Sequence, residues 1–183
     1  MRANFEELDK KTRKYMLEEF EKEQKSATPY ISERLSELGK RKFIELMKEA
    51  IENGDDEQLI GALSDQSYWN ESEEYITKQG IISRRKINYL HAAERLGFSE
   101  FNTWYVRGLA KKLIDEGIKE CQIYRAKQPK WEPADCSIHE GQIVEVKIIY
   151  NGHRAKYWPT KKNSVFSIPA QPGCHHSIRR IKL

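Results

Sequence analysis

Residues Gln142–Tyr150 read QIVEVKIIY, and five of these nine positions are Ile or Val. Branched side chains of this kind are enriched in strands, so the segment predicts the clearest strand of the chain. It is followed by NGHRAKYWP at Asn151–Pro159, where Asn-Gly is a turn signal. We therefore expect the C-terminal part of the chain to consist of short strands and loops.

The residues before this part predict mainly helices. Residues 5–25 place apolar side chains at helical spacing among charged ones, which is typical of a surface helix with one apolar stripe. One β-hairpin is expected at Glu73–Ile87, EEYITKQGIISRRKI, where KQG separates two segments of strand-like period. The sequence thus predicts an α+β fold, with a mainly helical part at 1–128 and a small, basic, β-rich part at 129–183.

A helix-turn-helix-like unit is one interpretation of residues 88–116. Ala93 and Gly97 lie four positions apart and Ser99 follows, a spacing that permits two helices to approach closely around a turn. Asn102 and Arg107 of the second helix would then reach base edges. The other interpretation is an ordinary helical hairpin without a nucleic-acid partner.

Composition excludes several classes of protein. Charged residues make up 33% of the 183 positions, and no run approaches the roughly 18 apolar residues that a membrane span needs. The first residues are charged and do not resemble a signal peptide. The chain has only three cysteines, and this small and odd number does not suit a disulfide framework. We therefore expect a cytoplasmic protein without a membrane partner.

Charge is distributed unevenly along the chain. The formal net charge is +4, but no Asp or Glu follows Glu145, and eight Lys and Arg do. Such asymmetry predicts that the C-terminal part binds an anion, namely nucleic acid, a nucleotide or another polyanion. The residues expected to contact phosphate are Arg154, Lys156, Arg179, Arg180 and Lys182.

Two Cys/His clusters form a candidate zinc site that would stabilise the loop-rich C-terminal part. Cys136 and His139 have C-x2-H spacing, and Cys174 and His176 lie about 40 residues later. Four sulfur and nitrogen ligands in a tetrahedron are what structural zinc prefers, and a segment with little core of its own gains stability from a metal. In the alternative interpretation, the two cysteines are small buried apolar side chains and the histidines lie at the surface.

A metal-dependent nuclease site is a further hypothesis. Asp135, Glu145 and Lys147 have the spacing D-x9-E-V-K, and the last two would share one face of the predicted strand. This short pattern resembles the core motif of PD-(D/E)xK nucleases over about 15 residues. The resemblance implies a metal held by the two carboxylates beside a lysine that stabilises charge.

A metal-independent nuclease or RNase is the other enzymatic hypothesis. His153, Tyr157 and His175 would form the catalytic group, because histidines transfer protons near neutral pH and the neighbouring cations stabilise a charged transition state. The tail after Gly173 is expected to fold back beside His153. A third class of function, a subunit of a larger assembly that binds a protein partner through the N-terminal helix, stays open.

Overall fold

The computed structural model describes residues 3–128, 135–158 and 166–182. In chain order the helices and strands are α1 (Lys10–Gln24), α2 (Glu37–Asn53), α3 (Asp56–Leu63), β1 (Ser72–Ile76), β2 (Ile82–Lys86), α4 (Tyr89–Asp115), β3 (Glu120–Arg125), β4 (Ile143–Glu145), α5 (Val146–Asn151) and β5 (His176–Arg179). Short 3-10 helices lie at Gln66–Tyr68 and Asp135–His139. This order confirms the α+β fold, with most helices early in the chain and the three-stranded sheet late.

The chain divides into two compact units, whose limits differ from the predicted division near residue 128. A terminal unit combines Met1–Tyr30 with Ser99–Leu183, and a middle unit consists of Ile31–Phe98. The terminal unit contains both ends of the chain because the first helix packs on residues that lie about 90 positions later in the sequence. For example, the ring centroids of Phe20 and Trp104 lie 5.2 Å apart.

In the terminal unit, α1 lies very close to the second half of α4. A Cβ atom added at Gly108 would lie 2.6 Å from the backbone nitrogen of Met16, so only glycine permits this approach. The sheet has the strand order β4-β3-β5, and both pairs are antiparallel. Ile123 of β3 is opposite Ile178 of β5, and both side chains are buried.

The middle unit contains α2, α3, the hairpin and the first part of α4. Ser36 caps α2 by accepting a hydrogen bond from the Gly39 nitrogen, as its side-chain oxygen is suited to do. The predicted hairpin is present, with Tyr75 opposite Ser83. The Trp69 indole donates to the Leu63 carbonyl at 2.8 Å, which satisfies its only polar atom inside the core.

The predicted turn within residues 88–116 is absent, because Tyr89–Asp115 form one uninterrupted helix, α4. Gly97 lies within this helix, where a Cβ atom would be 2.7 Å from the Ile60 side chain. The small residue therefore serves the packing of α3 on α4. The helix-turn-helix-like unit, with its recognition helix, is wrong.

The predicted strand at Gln142–Tyr150 is only partly correct. Strand β4 ends at Glu145, because its partner β3 begins at Glu120, directly opposite. Without a further partner the chain turns into α5, which buries Val146 and Ile149. In the C-terminal tail the strand is β5, which pairs with β3. None of the helices in the described part of the chain is long and apolar enough to cross a membrane.

Candidate functional site

A cluster of buried charges lies between α1, α4 and the segment that follows α5 in the terminal unit. Glu19 and Glu23 are four positions apart on α1, and Glu100 and Arg107 are seven apart on α4, so each pair lies on one face of its helix. The turns after α5 add further polar side chains at positions 153–158. All these residues belong to one compact unit.

Arg154 is at the centre of the cluster and is only 3% exposed. Its guanidinium donates to both carboxylate oxygens of Glu100, at 2.9 and 2.6 Å, and it also forms an ion pair with Glu23 at 3.2 Å. The Tyr157 hydroxyl accepts from the same group at 3.1 Å. Burial opposes the charge of Arg154, but the two carboxylates raise the pKa of the guanidinium well above its usual value.

Arg154 also has an unusual backbone. Its φ angle is 53°, in the left-handed region that residues with a side chain rarely adopt. Such a conformation costs about 1–3 kcal/mol and persists where the surroundings impose it, often at functional sites. The bidentate pair with Glu100 supplies that constraint, and the strained residue holds its neighbour His153 in place.

The His153 ring is held between Glu23 and Trp104. Its Nε2 lies 2.8 Å from Glu23 Oε2, and its ring packs on Trp104 with centroids 5.2 Å apart. Burial, together with the charge of Arg154, lowers the pKa of His153 to about 4, although Glu23 acts in the opposite direction. Burial also opposes ionisation of Glu23, yet the hydrogen bond from His153 and the charge of Arg154 lower its pKa. At neutral pH the imidazole is therefore neutral, donates from Nε2 to Glu23 and keeps Nδ1 unprotonated.

A second ion pair lies beside the first. Arg107 donates to Glu19 at 2.6 Å and to the carbonyl of Tyr150 at 2.7 Å. The Tyr150 hydroxyl donates to the same Glu19 carboxylate at 3.0 Å, and the guanidinium lies over the Tyr150 ring. These contacts fix Arg107 with its charge largely compensated.

Part of this cluster lines a cavity of about 250 Å³, which we call the Trp158 pocket. The cluster members in its wall are Glu19, Glu23, Trp104, Arg107 and His153. It is smaller than the range of about 300–1,000 Å³ that is usual for drug-sized ligands. The indole of Trp158 is half-buried and donates to the Thr28 carbonyl at 3.1 Å, while Lys22, Ser26 and Thr28 are exposed. The lining residues are Glu19, Lys22, Glu23, Ser26, Thr28, Trp104, Arg107, His153 and Trp158.

Comparison with known proteins finds no family model, no curated protein and no solved structure that matches this chain. The chemistry of the site is therefore inferred from its geometry alone.

The residues predicted to contact phosphate fall into two groups. Arg154 is buried and compensated, as described, and Lys156 is exposed. The cations of the tail are paired: Arg179 donates to Glu6 at 2.7 Å, Lys182 lies 2.9 Å from the same carboxylate, and Arg180 pairs with Glu7 and Glu116. The tail thus folds back on the first residues of the chain, and acidic partners neutralise much of its charge.

The predicted catalytic residues are similarly divided. His153 and Tyr157 join the buried cluster. The carbonyl of His175 instead accepts hydrogen bonds from the backbone nitrogens of Ala126 and Lys127, directly after β3. Glu145 ends β4 and Lys147 lies in α5, so the expected placement of both on one strand face is wrong. The side chain of Asp135, the third residue of that motif, lies outside the described residues.

The predicted metal ligands are only partly brought together. Cys174 Sγ and His176 Nδ1 lie 3.9 Å apart, and both residues are buried. His139 lies elsewhere on its 3-10 helix, with Nδ1 3.3 Å from Gln142 Oε1, and the Cys136 side chain is outside what the structure describes. Within the described residues, no group of three or more His, Cys, Asp or Glu is placed to hold a metal ion.

Sequence reasoning missed the acidic and aromatic half of the cluster. Glu19 and Glu23 were part of the charged face of a surface helix, and Trp104 was assigned to an apolar helix face. The sequence did contain one signal. Glu19 and Glu23 are spaced three positions after Met16 and Phe20 respectively, which places them at the edge of the buried apolar stripe of α1. Acids in that position are candidates for buried ion pairs.

Proposed function

We propose that the Trp158 pocket binds a nucleotide, either free or at an unpaired position of a nucleic-acid strand. The observation that supports this is the combination in one cavity of two indole rings, buried carboxylates and an exposed lysine. An indole offers a surface for stacking a base, whatever its sequence. A base is also small enough for a cavity of about 250 Å³.

Each part of a nucleotide has a matching group. The half-buried Trp158 stacks on the base, and Glu23 accepts from an exocyclic amine of the base at the inner end. Exposed Lys22 at the mouth contacts the phosphate, with the hydroxyls of Ser26 and Thr28 beside it. The basic tail has a smaller part in this arrangement than its charge predicts, because Glu6, Glu7 and Glu116 already compensate it.

The test is a calorimetric titration with the four ribonucleoside monophosphates and, separately, with short single-stranded RNA and DNA. Trp158→Ala should weaken binding by roughly one to two orders of magnitude, since stacking of one base is worth about 1–3 kcal/mol. Trp158→Phe should restore part of the affinity. Binding of oligonucleotides but not of monophosphates would identify a strand as the source of the base.

A pair of lysines supplies the matched control. Lys22→Ala should weaken binding and lower its salt dependence, whereas Lys156→Ala, an exposed lysine outside the pocket lining, should do neither. Loss of binding in Arg180→Ala with full retention in Lys22→Ala would place the ligand on the tail and contradict the proposal.

Cleavage of bound RNA is a second candidate, favoured by the neutral His153 with its unprotonated Nδ1. That nitrogen is suited to accept the proton of a ribose 2′-hydroxyl, whose oxygen then attacks the adjacent phosphorus while the P–O5′ bond breaks. The products are a 2′,3′-cyclic phosphate and a 5′-hydroxyl, and the leaving 5′-oxygen takes its proton from the histidinium or from water. Such cleavage needs no metal, so it should persist in EDTA, spare DNA and be lost in His153→Gln. If RNA stays intact after prolonged incubation with the wild-type protein, the cleavage hypothesis is wrong and only the binding function is left.

A further inference from the structure

One face of the hairpin formed by β1 and β2 is anchored to the middle unit. Glu73 accepts a hydrogen bond from Arg34, which precedes α2, at 3.1 Å. Arg85, the register partner of Glu73, donates to the same carboxylate at 2.7 Å, and its guanidinium lies over the ring of Tyr75. Because alternate residues of a strand share a face, these contacts decide which face of the hairpin is turned inward.

The opposite face of the hairpin, which we call the outer face, is open to solvent. It has Ile76 opposite Ile82 and Glu74 opposite Arg84, with Lys86 near its base, and all five residues are exposed. The two isoleucines are 74% and 69% exposed and form the last pair before the turn. An exposed apolar patch that is rimmed by polar side chains marks an interaction site.

The hairpin is the basic part of an otherwise acidic unit. The middle unit has 13 Asp and Glu against 10 Lys and Arg, but between Glu74 and Glu94 the chain has four Lys and Arg and no acid. Among the described residues, no ion pair involves Arg84 or Lys86, since Glu73 already pairs with Arg34 and Arg85. Positive charge is therefore concentrated along β2, and this favours an anionic partner.

Duplex DNA suits both the shape and the chemistry of the outer face. A two-stranded ribbon enters the major groove of B-DNA, which is about 12 Å wide. The strands have five residues each and are about 17 Å long, so the ribbon follows the groove over about five base pairs. Cations along the ribbon then reach phosphates, while the isoleucines at its far end contact thymine methyl groups.

The alternative partners suit this surface less well. Lys78 and Gln79 form the turn of the hairpin, so a bilayer would take up a charged group before it reached the isoleucines. A second copy that paired along β2 would set Arg84 and Arg85 against the same cations, which destabilises a sheet. The major groove of A-form RNA is too deep and narrow for side chains to read.

We propose that the outer face of the hairpin binds B-form DNA in the major groove, with Arg84 and Lys86 on phosphates and with Ile76 and Ile82 on base edges. This inference does not rest on the function proposed for the Trp158 pocket, whose residues belong to the terminal unit. The pocket takes a single base, whereas the hairpin takes a duplex.

The test is fluorescence anisotropy of the full-length protein with a labelled, mixed-sequence DNA duplex of about 20 base pairs, between about 50 and 200 mM salt. The double variant Arg84→Ala, Lys86→Ala should bind more weakly, and its slope of log affinity against log salt should be shallower by about two, because each phosphate contact contributes about 0.9. Ile82→Ala should weaken binding about tenfold at an unchanged slope, because it removes apolar contact area but no charge.

A second double variant supplies the matched control. Lys40→Ala with Lys42→Ala removes the same charge from α2 of the same unit, where both lysines pair with glutamates, and should bind DNA like the wild-type protein. An RNA duplex of the same sequence should bind more weakly than the DNA. Trp158→Ala should keep full affinity for duplex DNA, so that loss of nucleotide binding and loss of duplex binding are separate results.

Three results would overturn the proposal. The first is that the wild-type protein does not bind duplex DNA, or that the Arg84, Lys86 double variant binds it equally well. The second is binding to vesicles of phosphatidylcholine and phosphatidylserine in place of DNA, lost in Ile82→Ala, which would assign the outer face to a membrane. The third is a concentration-dependent dimer that is lost in the same variant, which would assign the face to a second copy of the chain.

Discussion

The guanidinium of Arg154 and the carboxylate of Glu100 form a bidentate ion pair in the interior of the terminal unit, with bonds of 2.9 and 2.6 Å. The two residues are 54 positions apart and are 3% and 2% exposed. A buried pair of this kind adds little net stability over apolar side chains, but it is costly to break from one side. Its value here is that it fixes the strained backbone beside His153.

Glu100→Gln should lower the free energy of unfolding by about 3–5 kcal/mol, because it leaves the charge of Arg154 with less compensation inside the protein. Urea unfolding measures this. The control is Glu116→Gln, which removes a more exposed carboxylate paired with Lys11 and Arg180 and should cost about 0–1 kcal/mol. Equal losses in the two variants would show that the Arg154–Glu100 pair is not buried in solution.

Below neutral pH, the free energy of unfolding should decrease as the pH is lowered, because of His153. The pKa of this residue is about 4 in the folded protein and 6.5 in the reference state. The unfolded chain therefore binds more protons between these values, and unfolding becomes easier as the pH falls from about 6.5 to 4. The full effect is about 3 kcal/mol.

Variants separate this effect from other titrations. His153→Gln keeps a donor for Glu23 without a group that titrates, so it should remove most of the dependence between pH 6.5 and 5. His91→Gln, at an exposed histidine, should leave the dependence intact. Glu23 has a lowered pKa and loses its contribution only at more acidic pH, below its usual value of 4.5. An unchanged profile in His153→Gln would contradict the neutral state assigned to this residue.

Gly97→Ala should destabilise the middle unit by about 1–3 kcal/mol, as overpacking does. The added methyl group would lie 2.7 Å from the Ile60 side chain and 3.2 Å from its backbone. Gly61→Ala, on the neighbouring helix, has open space around the new methyl group and should stabilise by about 0.5–1 kcal/mol through helix propensity. Thermal and urea unfolding of both variants give the comparison, and a stabilised Gly97→Ala would mean that α3 and α4 are farther apart.

The hairpin exposes isoleucines that should contribute almost nothing to stability. Ile82 is 69% exposed, so Ile82→Ala should change the free energy of unfolding by less than about 0.5 kcal/mol. Ile51 lies in the core of the same unit, so Ile51→Ala should lower the free energy of unfolding by about 2–5 kcal/mol. A large loss at Ile82 in the isolated protein, with a concentration dependence, would indicate that a second copy covers the hairpin.

Local pattern was sufficient for the elements whose partners are close in sequence. The hairpin Ser72–Lys86 was predictable because its two strands pair across a short turn, and α1 because its apolar stripe has helical period. The segment Gln142–Tyr150 was not, although its composition favours a strand. How far a strand continues depends on the length of its partner, and β3 begins opposite Glu145.

By itself, the sequence determined the α+β class, the asymmetry of charge and the presence of His153 and Arg154 among the candidate site residues. Only the tertiary structure decided which carboxylates meet them, since Glu23 lies 130 positions from His153. The sequence alone does not show whether a charged side chain is solvated or buried. The difference arises because removing a charge from water is tolerable only where the fold brings an opposite charge to it, and that encounter is a property of the packed helices.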